Sequence, residues 1–190
     1  MPSLFCNSGK RWQAGKQAQN GEGRFASPRG FAKMVNTVGR ILSETDRAYL
    51  AGLFDADGAI MACIESHSEK KYGFRVRLFI KIAQKNKSFL EKIQRELSWG
   101  SVRLNRRVYE YDIRDQKDII SFIDLIYPYS RLKKSQLKIA YKIANSKIGS
   151  KRQLIKIARL ADSLAKLNVR SPGRRKNFAQ KILESVPRND

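Results

Sequence analysis

Two carboxylates, Asp55 and Asp57, close a stretch in which small and bulky side chains fall on opposite faces of a predicted helix. On a helical wheel the small face consists of Ala48, Ala51, Gly52 and Asp55, and the bulky face of Tyr49, Leu50, Leu53 and Phe54. The bulky face is suited to a core, and the small face lets another helix come very close. Because Gly58 ends the helix, both carboxylates lie where the helix dipole disfavours negative charge unless a cation binds. Two such ends meeting across paired small faces would form a metal site, so the small face is a predicted dimer interface.

The helix that carries these carboxylates begins near Ser43 or Thr45, either of which is a suitable N-cap. After Gly58 the apolar period changes from helical to two, which predicts a strand and, after a polar turn, a second strand. The apolar residues of the second strand are Phe74, Val76, Leu78, Ile80 and Ile82, and between them stand Arg75, Arg77, Phe79 and Lys81. One face of this strand is therefore core, and the other is too basic for an ordinary solvent face.

A helix from Ser88 to Leu97, opened by a capping box at Ser88, leads into a second predicted hairpin. Its inward residues are predicted to be Val102, Leu104, Tyr109, Tyr111 and Ile113. Asp115 caps a further helix that Pro128 ends, and more helices follow. The predicted class is α+β, with an αββαββα core, an antiparallel saddle-shaped sheet and additional C-terminal helices.

The predicted domain boundaries are a basic N-terminal tail, residues 1–42, a core of residues 43–148, and a C-terminal helical extension, residues 149–190. The tail has one acidic residue, Glu22, and no apolar periodicity. A basic arm on DNA, an organelle targeting segment and upstream sequence without a role are all compatible with it.

The net charge of +22 and the pI of about 10.4 indicate a polyanionic partner, either nucleic acid or an anionic membrane. No apolar run approaches membrane-spanning length and no signal-peptide core follows Met1, which favours nucleic acid over a membrane. His67 is the only histidine, which argues against nucleases built on several histidines and against histidine-centred nucleophilic triads.

The stretch Leu50–Gly58 has the sequence LAGLFDADG and resembles the signature of the LAGLIDADG homing endonucleases, from which it differs at Phe54. An acidic turn at the end of a surface helix would explain the last four residues alone but not the whole motif. The resemblance extends over residues 43–186 and is greatest to single-motif members encoded in organellar introns. It implies a homodimer on a long, nearly palindromic DNA site, cleavage with short 3′ overhangs, and a location in chloroplast or mitochondrion.

The resemblance also implies roles for individual residues. Asp57 would bind the catalytic metal, and the backbone carbonyl of Ala56 would contact it as well. Gln84 would position solvent near the scissile phosphate, and Lys133 would lie close to the active site. The expected metal is Mg²⁺, with Mn²⁺ as a substitute and Ca²⁺ binding without cleavage. Where the family has a further basic residue this chain has Ser88, with Lys85 and Lys87 as the nearby alternatives.

DNA bases would be contacted by the outward strand residues. These are Cys63, Glu65, Arg75, Arg77, Lys81, Arg103, Asn105, Glu110 and Asp112. An RNA-binding intron maturase and a non-cleaving DNA-binding regulator are alternative functions for the same fold. The presence of Asp57, Gln84 and Lys133 favours cleavage, because a protein that only binds gains nothing from a carboxylate that faces phosphates.

Overall fold

The computed structural model describes residues 42–168 and 178–185. Of the predicted tail, residues 1–41 lie outside this range. In chain order the elements are α1 (Glu44–Asp57), β1 (Gly58–Ser66), β2 (Phe74–Gln84), α2 (Lys87–Leu97), β3 (Ser101–Asn105), β4 (Val108–Ile113), α3 (Gln116–Ile126), α4 (Lys134–Ala144), α5 (Lys151–Asn168) and α6 (Phe178–Ser185). The order αββαββα, followed by further helices, confirms the predicted α+β class.

The four strands form one antiparallel sheet in the order β1-β2-β4-β3. The two hairpins therefore join through their second strands, with Ile80 opposite Ile113 and Gln84 opposite Tyr109. The inner face of the sheet packs against the helices, and its fully buried residues include Ile60, Ile80, Ile82, Tyr111 and Ile113. The outer face is formed by the alternate residues of each strand, among them the predicted DNA-contacting residues.

Helix α1 is fixed at both ends by local sequence. The Ser43 hydroxyl accepts a hydrogen bond from the Asp46 backbone N–H, and the Asp46 carboxylate accepts one from the Ser43 N–H, which completes a capping box. At the other end only glycine fits at position 58, because a Cβ there would lie 2.2 Å from the Phe54 ring. The chain thus passes from α1 directly into β1, which places the end of the helix beside the sheet.

The division of α1 into a small face and a bulky face is wrong in part. Ala51 is fully buried together with Leu50 and Phe54, because this side of the helix packs on α3 and on the sheet. Tyr49, predicted for the core, is 60% exposed and packs edge-on against Phe89 with 6.3 Å between ring centroids. Beyond its first turn, the exposed residues of α1 are Ala48, Tyr49, Gly52, Ala56 and Asp57.

One further local prediction is wrong. Ser88 does not cap α2; the Asn86 side chain accepts the hydrogen bond from the Phe89 N–H, and the Ser88 hydroxyl donates to Asn86. Leu104 lies opposite Tyr109 on the inner face, as predicted, but it is 62% exposed near the end of the edge strand β3.

The C-terminal helices continue the core. Helix α5 packs on β1 and α4, burying Leu154, Ile157 and Leu164. The Asp162 carboxylate accepts hydrogen bonds from the backbone N–H groups of Phe178 and Ala179, which ties the start of α6 to α5. Among the helices described, none has the length and apolar character needed to cross a bilayer.

Candidate active site and nucleic-acid interface

Asp57 and Gln84 meet because α1 runs directly into β1 and β1 pairs with β2. Gly58 lies opposite Ile82, so the last residue of α1 is adjacent to the last residue of β2. The Gln84 side-chain amide, through Nε2, donates a hydrogen bond of 2.6 Å to Asp57 Oδ2. The exposed Asp57 carboxylate is thereby held at the helix end, with Gln84 half-buried beside it.

Asp55 anchors the segment that follows α3. Its carboxylate accepts hydrogen bonds from the Ser130 hydroxyl at 2.6 Å and from three consecutive backbone N–H groups, those of Arg131, Leu132 and Lys133, at 2.6, 3.0 and 3.1 Å. Partial burial acts to raise the pKa of Asp55, but these four hydrogen bonds outweigh it and lower the pKa below its usual value. One carboxylate of the motif therefore organises a loop more than seventy residues away in sequence.

Lys133 is brought by this anchor to the C-terminus of α1. Its ammonium donates hydrogen bonds to the backbone carbonyls of Phe54 at 2.9 Å and Asp55 at 2.6 Å, and it lies 3.4 Å from that of Ala56. The helix end was predicted to need a cation beside its carboxylates, and Lys133 supplies one within the chain. Asp57, Gln84 and Lys133, distant in sequence, thus converge where α1 ends beside the end of β2.

The donors at this point fit a hard divalent cation. Asp57 offers a carboxylate and Ala56 a backbone carbonyl, the oxygen ligands that Mg²⁺ prefers alongside water and phosphate. Over residues 42–168 and 178–185, no three histidine, cysteine or acidic side chains cluster as a complete protein cage would require. A cation bound here would take its remaining ligands from water, from a phosphate or from a second chain.

On the outer face of the sheet, basic and acidic side chains of neighbouring strands form ion pairs. Lys81 Nζ lies 2.6 Å from Glu110 Oε2, and Asn105 donates a hydrogen bond of 2.7 Å to the other oxygen of Glu110. Arg77 lies 3.6 Å from Glu65, with its guanidinium 5.1 Å from the centroid of the Phe79 ring. Arg75 is exposed and Cys63 half-buried on the same face.

Asp112 departs from the prediction that it contacts a base. The residue lies on the outer face but is only 3% exposed, covered by two guanidiniums. Arg103 Nη2 lies 3.4 Å from Asp112 Oδ2, and Arg114 Nη2 lies 2.5 Å from the same oxygen. Arg114, absent from the predicted contacts, is thus part of this face.

Two of the four predicted interface residues point into their own chain. Ala51 is fully buried, and the Asp55 carboxylate is occupied by the 130–133 segment. Ala48 and Gly52 are exposed, and a Cβ built on Gly52 would meet nothing within 4 Å. The helical wheel could not foresee this, because nothing near α1 in sequence shows that α3 and the 130–133 segment cover one side of it.

The model of the LAGLIDADG endonuclease family matches residues 50–145, which include the motif, the sheet and Lys133. The chain belongs to the LAGLIDADG endonuclease family. This confirms the predicted resemblance, and with it the class of metal-dependent DNA endonuclease.

This LAGLIDADG endonuclease is similar to curated algal relatives and to solved structures. The chain is 29% identical over 125 residues to DNA endonuclease I-CreI of Chlamydomonas reinhardtii, and the match covers 63% of this chain and 77% of the relative. It is 32% identical over 127 residues to DNA endonuclease I-CvuI of Chlorella vulgaris, covering 63% and 78%. The structure of I-CvuI bound to its target in the presence of Ca matches with a TM-score of 0.66 at 28% identity, over 74% of this chain and 91% of that one. The archaeal I-Vdi141I complexed with DNA, at 23% identity and a TM-score of 0.64, shares the fold.

Proposed function

We propose that this LAGLIDADG endonuclease acts as a homodimer that cleaves both strands of a long, nearly palindromic DNA site and leaves short 3′ overhangs. The observation that carries the proposal is the convergence of Asp57, Gln84 and Lys133 at the end of α1, beside a face lined with cations. A two-fold symmetric protein requires a site with matching symmetry. The I-CvuI relative is bound to a DNA target in its solved structures.

The exposed side of α1 supports the dimer. Ala48, Gly52 and Ala56 are spaced by four residues and all are exposed, so they form a stripe without bulk along the helix. The space above Gly52 allows a second backbone to approach closely. Pairing two such stripes would bring the two Asp57 carboxylates together, and each protomer would then act on one strand. This corrected stripe replaces Ala51 and Asp55 in the predicted interface.

Asp57 and the carbonyl of Ala56 would hold Mg²⁺. When bound, such an ion activates water, neutralises phosphate charge and assists the leaving oxygen. We expect Mn²⁺ to substitute for Mg²⁺ and Ca²⁺ to support binding without cleavage. The I-CvuI structures include one in the presence of Mg, where the DNA is not cleaved, and one in the presence of Ca.

The chain's own residues prepare the site for an anionic phosphate. Gln84 donates to Asp57 through Nε2, which leaves its amide oxygen as the acceptor that orients a water molecule. Lys133 adds a fixed ammonium where negative charge develops on the phosphate during cleavage. Of the two lysines near Ser88, Lys87 is paired with Glu91 at 3.0 Å, so Lys85, exposed beside Gln84, is the better candidate for the additional cation.

The experiment selects the DNA first and tests cleavage second. The full chain is equilibrated with a randomised duplex library in Ca²⁺, bound DNA is sequenced, and the enriched site is then exposed to Mg²⁺ with mapping of both strands. The proposal predicts two staggered cuts in a nearly palindromic site, and sedimentation of a complex that contains two protomers. Binding without nicking in Mg²⁺ would contradict the proposal and indicate a non-cleaving DNA-binding regulator. Preference for intron RNA over any duplex would contradict it as well and indicate a maturase.

A location in chloroplast or mitochondrion stays a prediction. Its support is that the two curated relatives come from the algae Chlamydomonas reinhardtii and Chlorella vulgaris. Fractionation of the source cells with immunodetection of the untagged protein tests it, and recovery of the protein only outside the organelle fractions would contradict it.

A further inference from the structure

Arg114 lies on the outer face just after β4, and its guanidinium is held from two sides. Nε donates a hydrogen bond of 2.6 Å to Asp112 Oδ2, and Nη2 lies 2.5 Å from the same oxygen. The guanidinium also lies over the Phe79 ring, 5.6 Å from its centroid. A side chain fixed by a carboxylate and an aromatic ring keeps one orientation, unlike an arginine that extends freely into solvent.

Asp112 is placed to fix arginines rather than to meet a ligand. It is 3% exposed, and Arg103 approaches the same Oδ2 that Arg114 engages, while the Arg103 Nε donates to the Ser101 hydroxyl. Its other oxygen, Oδ1, is buried and has no hydrogen-bond partner among the described residues. A buried carboxylate with an unpaired oxygen is unfavourable for folding. Its presence is therefore explained better by the orientation of the two guanidiniums than by stability.

Arg114 keeps donors available for a ligand. A guanidinium has five N–H donors, and Asp112 engages those of Nε and of one side of Nη2. The Nη1 donors take no part in the contact with Asp112, and the side chain is 42% exposed. Two parallel donors in a fixed plane match the O6 and N7 acceptors that guanine presents in the major groove. Because the guanidinium is already oriented, little rotamer entropy is lost on binding.

Arg77 also lies over the Phe79 ring, but its guanidinium is held less firmly than that of Arg114. Its ion pair with Glu65 spans 3.6 Å between two partly exposed side chains, whereas the carboxylate that holds Arg114 is only 3% exposed. It is suited to an adaptable phosphate or base contact.

We propose that Arg114, held by Asp112 and Phe79, contacts a guanine in each half of the DNA site and sets the base preference there. Asp112 is a positioning residue for this contact. The inference rests on the proposed function, because it requires that duplex DNA lies along the outer face.

The test compares the base preferences of variants of the full chain. Wild type, Arg114→Lys, Asp112→Asn, Asp112→Glu and the matched control Arg95→Lys are each equilibrated with the randomised duplex library in Ca²⁺, and the enriched sequences are compared. Arg95 is an exposed arginine on α2 and is not among the predicted DNA contacts. Arg114→Lys keeps the positive charge but loses the planar pair of donors. It should reduce the preference for guanine at one position in each half-site by about 5- to 150-fold and leave the other positions unchanged.

Asp112→Asn should weaken the preference at that same position, and Asp112→Glu should restore part of it. Arg95→Lys should leave it intact. Melting temperatures of all variants separate this effect from loss of fold, and Arg114→Lys alone still tests the contact if Asp112→Asn is unfolded.

An unchanged guanine preference in Arg114→Lys would overturn the inference and leave the proposed function standing. A preference lost in Arg114→Lys but unchanged in folded Asp112→Asn would overturn the positioning role. If the wild-type chain enriched no duplex sequence at all, both the inference and the proposed function would fall.

Discussion

The end of α1 and the outer face of the sheet both hold carboxylates beside basic side chains, yet they are held together differently. At the helix end most contacts run to the backbone, since Asp55 binds three N–H groups and Lys133 binds successive carbonyls. The exceptions are Ser130 with Asp55 and Gln84 with Asp57. On the outer face they run between side chains, as in Lys81 with Glu110. Backbone atoms cannot be exchanged by substitution, whereas side-chain partners can. The position of the chemistry is therefore built into the fold, and the recognised sequence can change without disturbing it.

The largest effect should come from Lys133→Met, which removes the ammonium at the helix end. We expect single-turnover cleavage to fall by about 10²- to 10³-fold, because a fixed charge is lost where the phosphate becomes more negative. DNA affinity should change by only a few fold. The matched control is Lys134→Met, whose ammonium lies over the Tyr127 ring 5.2 Å from the centroid. Equal losses in the two variants would show that only net charge matters.

Asp55→Asn tests whether the hydrogen bonds from Asp55 to the backbone of residues 131–133 stabilise the fold. An amide offers one oxygen and turns its NH₂ group towards donors, so we expect a loss of about 1–3 kcal/mol in the free energy of unfolding, measured in urea. Glu110→Gln on the outer face is the control and should lose less than about 1 kcal/mol. A larger loss in the free energy of unfolding for Glu110→Gln than for Asp55→Asn would contradict the proposed difference between the two regions.

Lowering the pH should reduce the contribution of the Asp55 contacts to the stability of the fold. Because the pKa of Asp55 is lowered in the folded chain, its contribution to stability is present above the unfolded value of about 3.8 and is lost as pH falls through the lower, folded value. The pKa of Glu110 is lowered as well. Burial acts to raise it, but hydrogen bonds from Lys81 and Asn105 and the charges of Lys81 and Arg103 prevail. The Glu110 contribution should be screened by salt and the Asp55 contribution much less so.

Urea unfolding between pH 5 and 2 (approximately the range in which carboxylates titrate), at low and high salt, separates the two contributions. The salt-independent part of the pH dependence should disappear in Asp55→Asn. Its persistence in that variant would assign it to another carboxylate.

The smallest effect on stability should come from Lys81→Met. The pair with Glu110 is partly exposed, so the free energy of unfolding should change by less than about 1 kcal/mol. DNA binding should weaken, and if Lys81 contacts a phosphate the slope of log affinity against log salt should fall by about one. A much larger loss in the free energy of unfolding would contradict this, because it would show that the ion pairs of the outer face stabilise the fold as strongly as the contacts at the helix end.

The periodicity of the sequence was enough to predict the elements, the inner face of the sheet and the row of cations, because each depends on residues close together in the chain. The family resemblance supplied Asp57, Gln84 and Lys133, and the structure brings them together. Sequence could not show that Asp55 anchors Ser130 or that Ala51 is buried, since both follow from α3 and the 130–133 segment packing on one side of α1. Asp112 was misassigned because alternation fixes the face of a strand residue but not whether neighbouring arginines cover it.

The most direct test of the account is the separation of cleavage from binding in Asp57→Asn, on the enriched DNA site and with Mg²⁺. Asparagine keeps the size and the hydrogen bond with Gln84 but removes the charge that holds a cation. We predict no detectable cleavage of either strand and an affinity in Ca²⁺ within a few fold of wild type, while the matched control Glu69→Gln, in the β1–β2 turn, cleaves normally. Cleavage by Asp57→Asn at close to the wild-type rate would contradict the assignment of the active site to the end of α1.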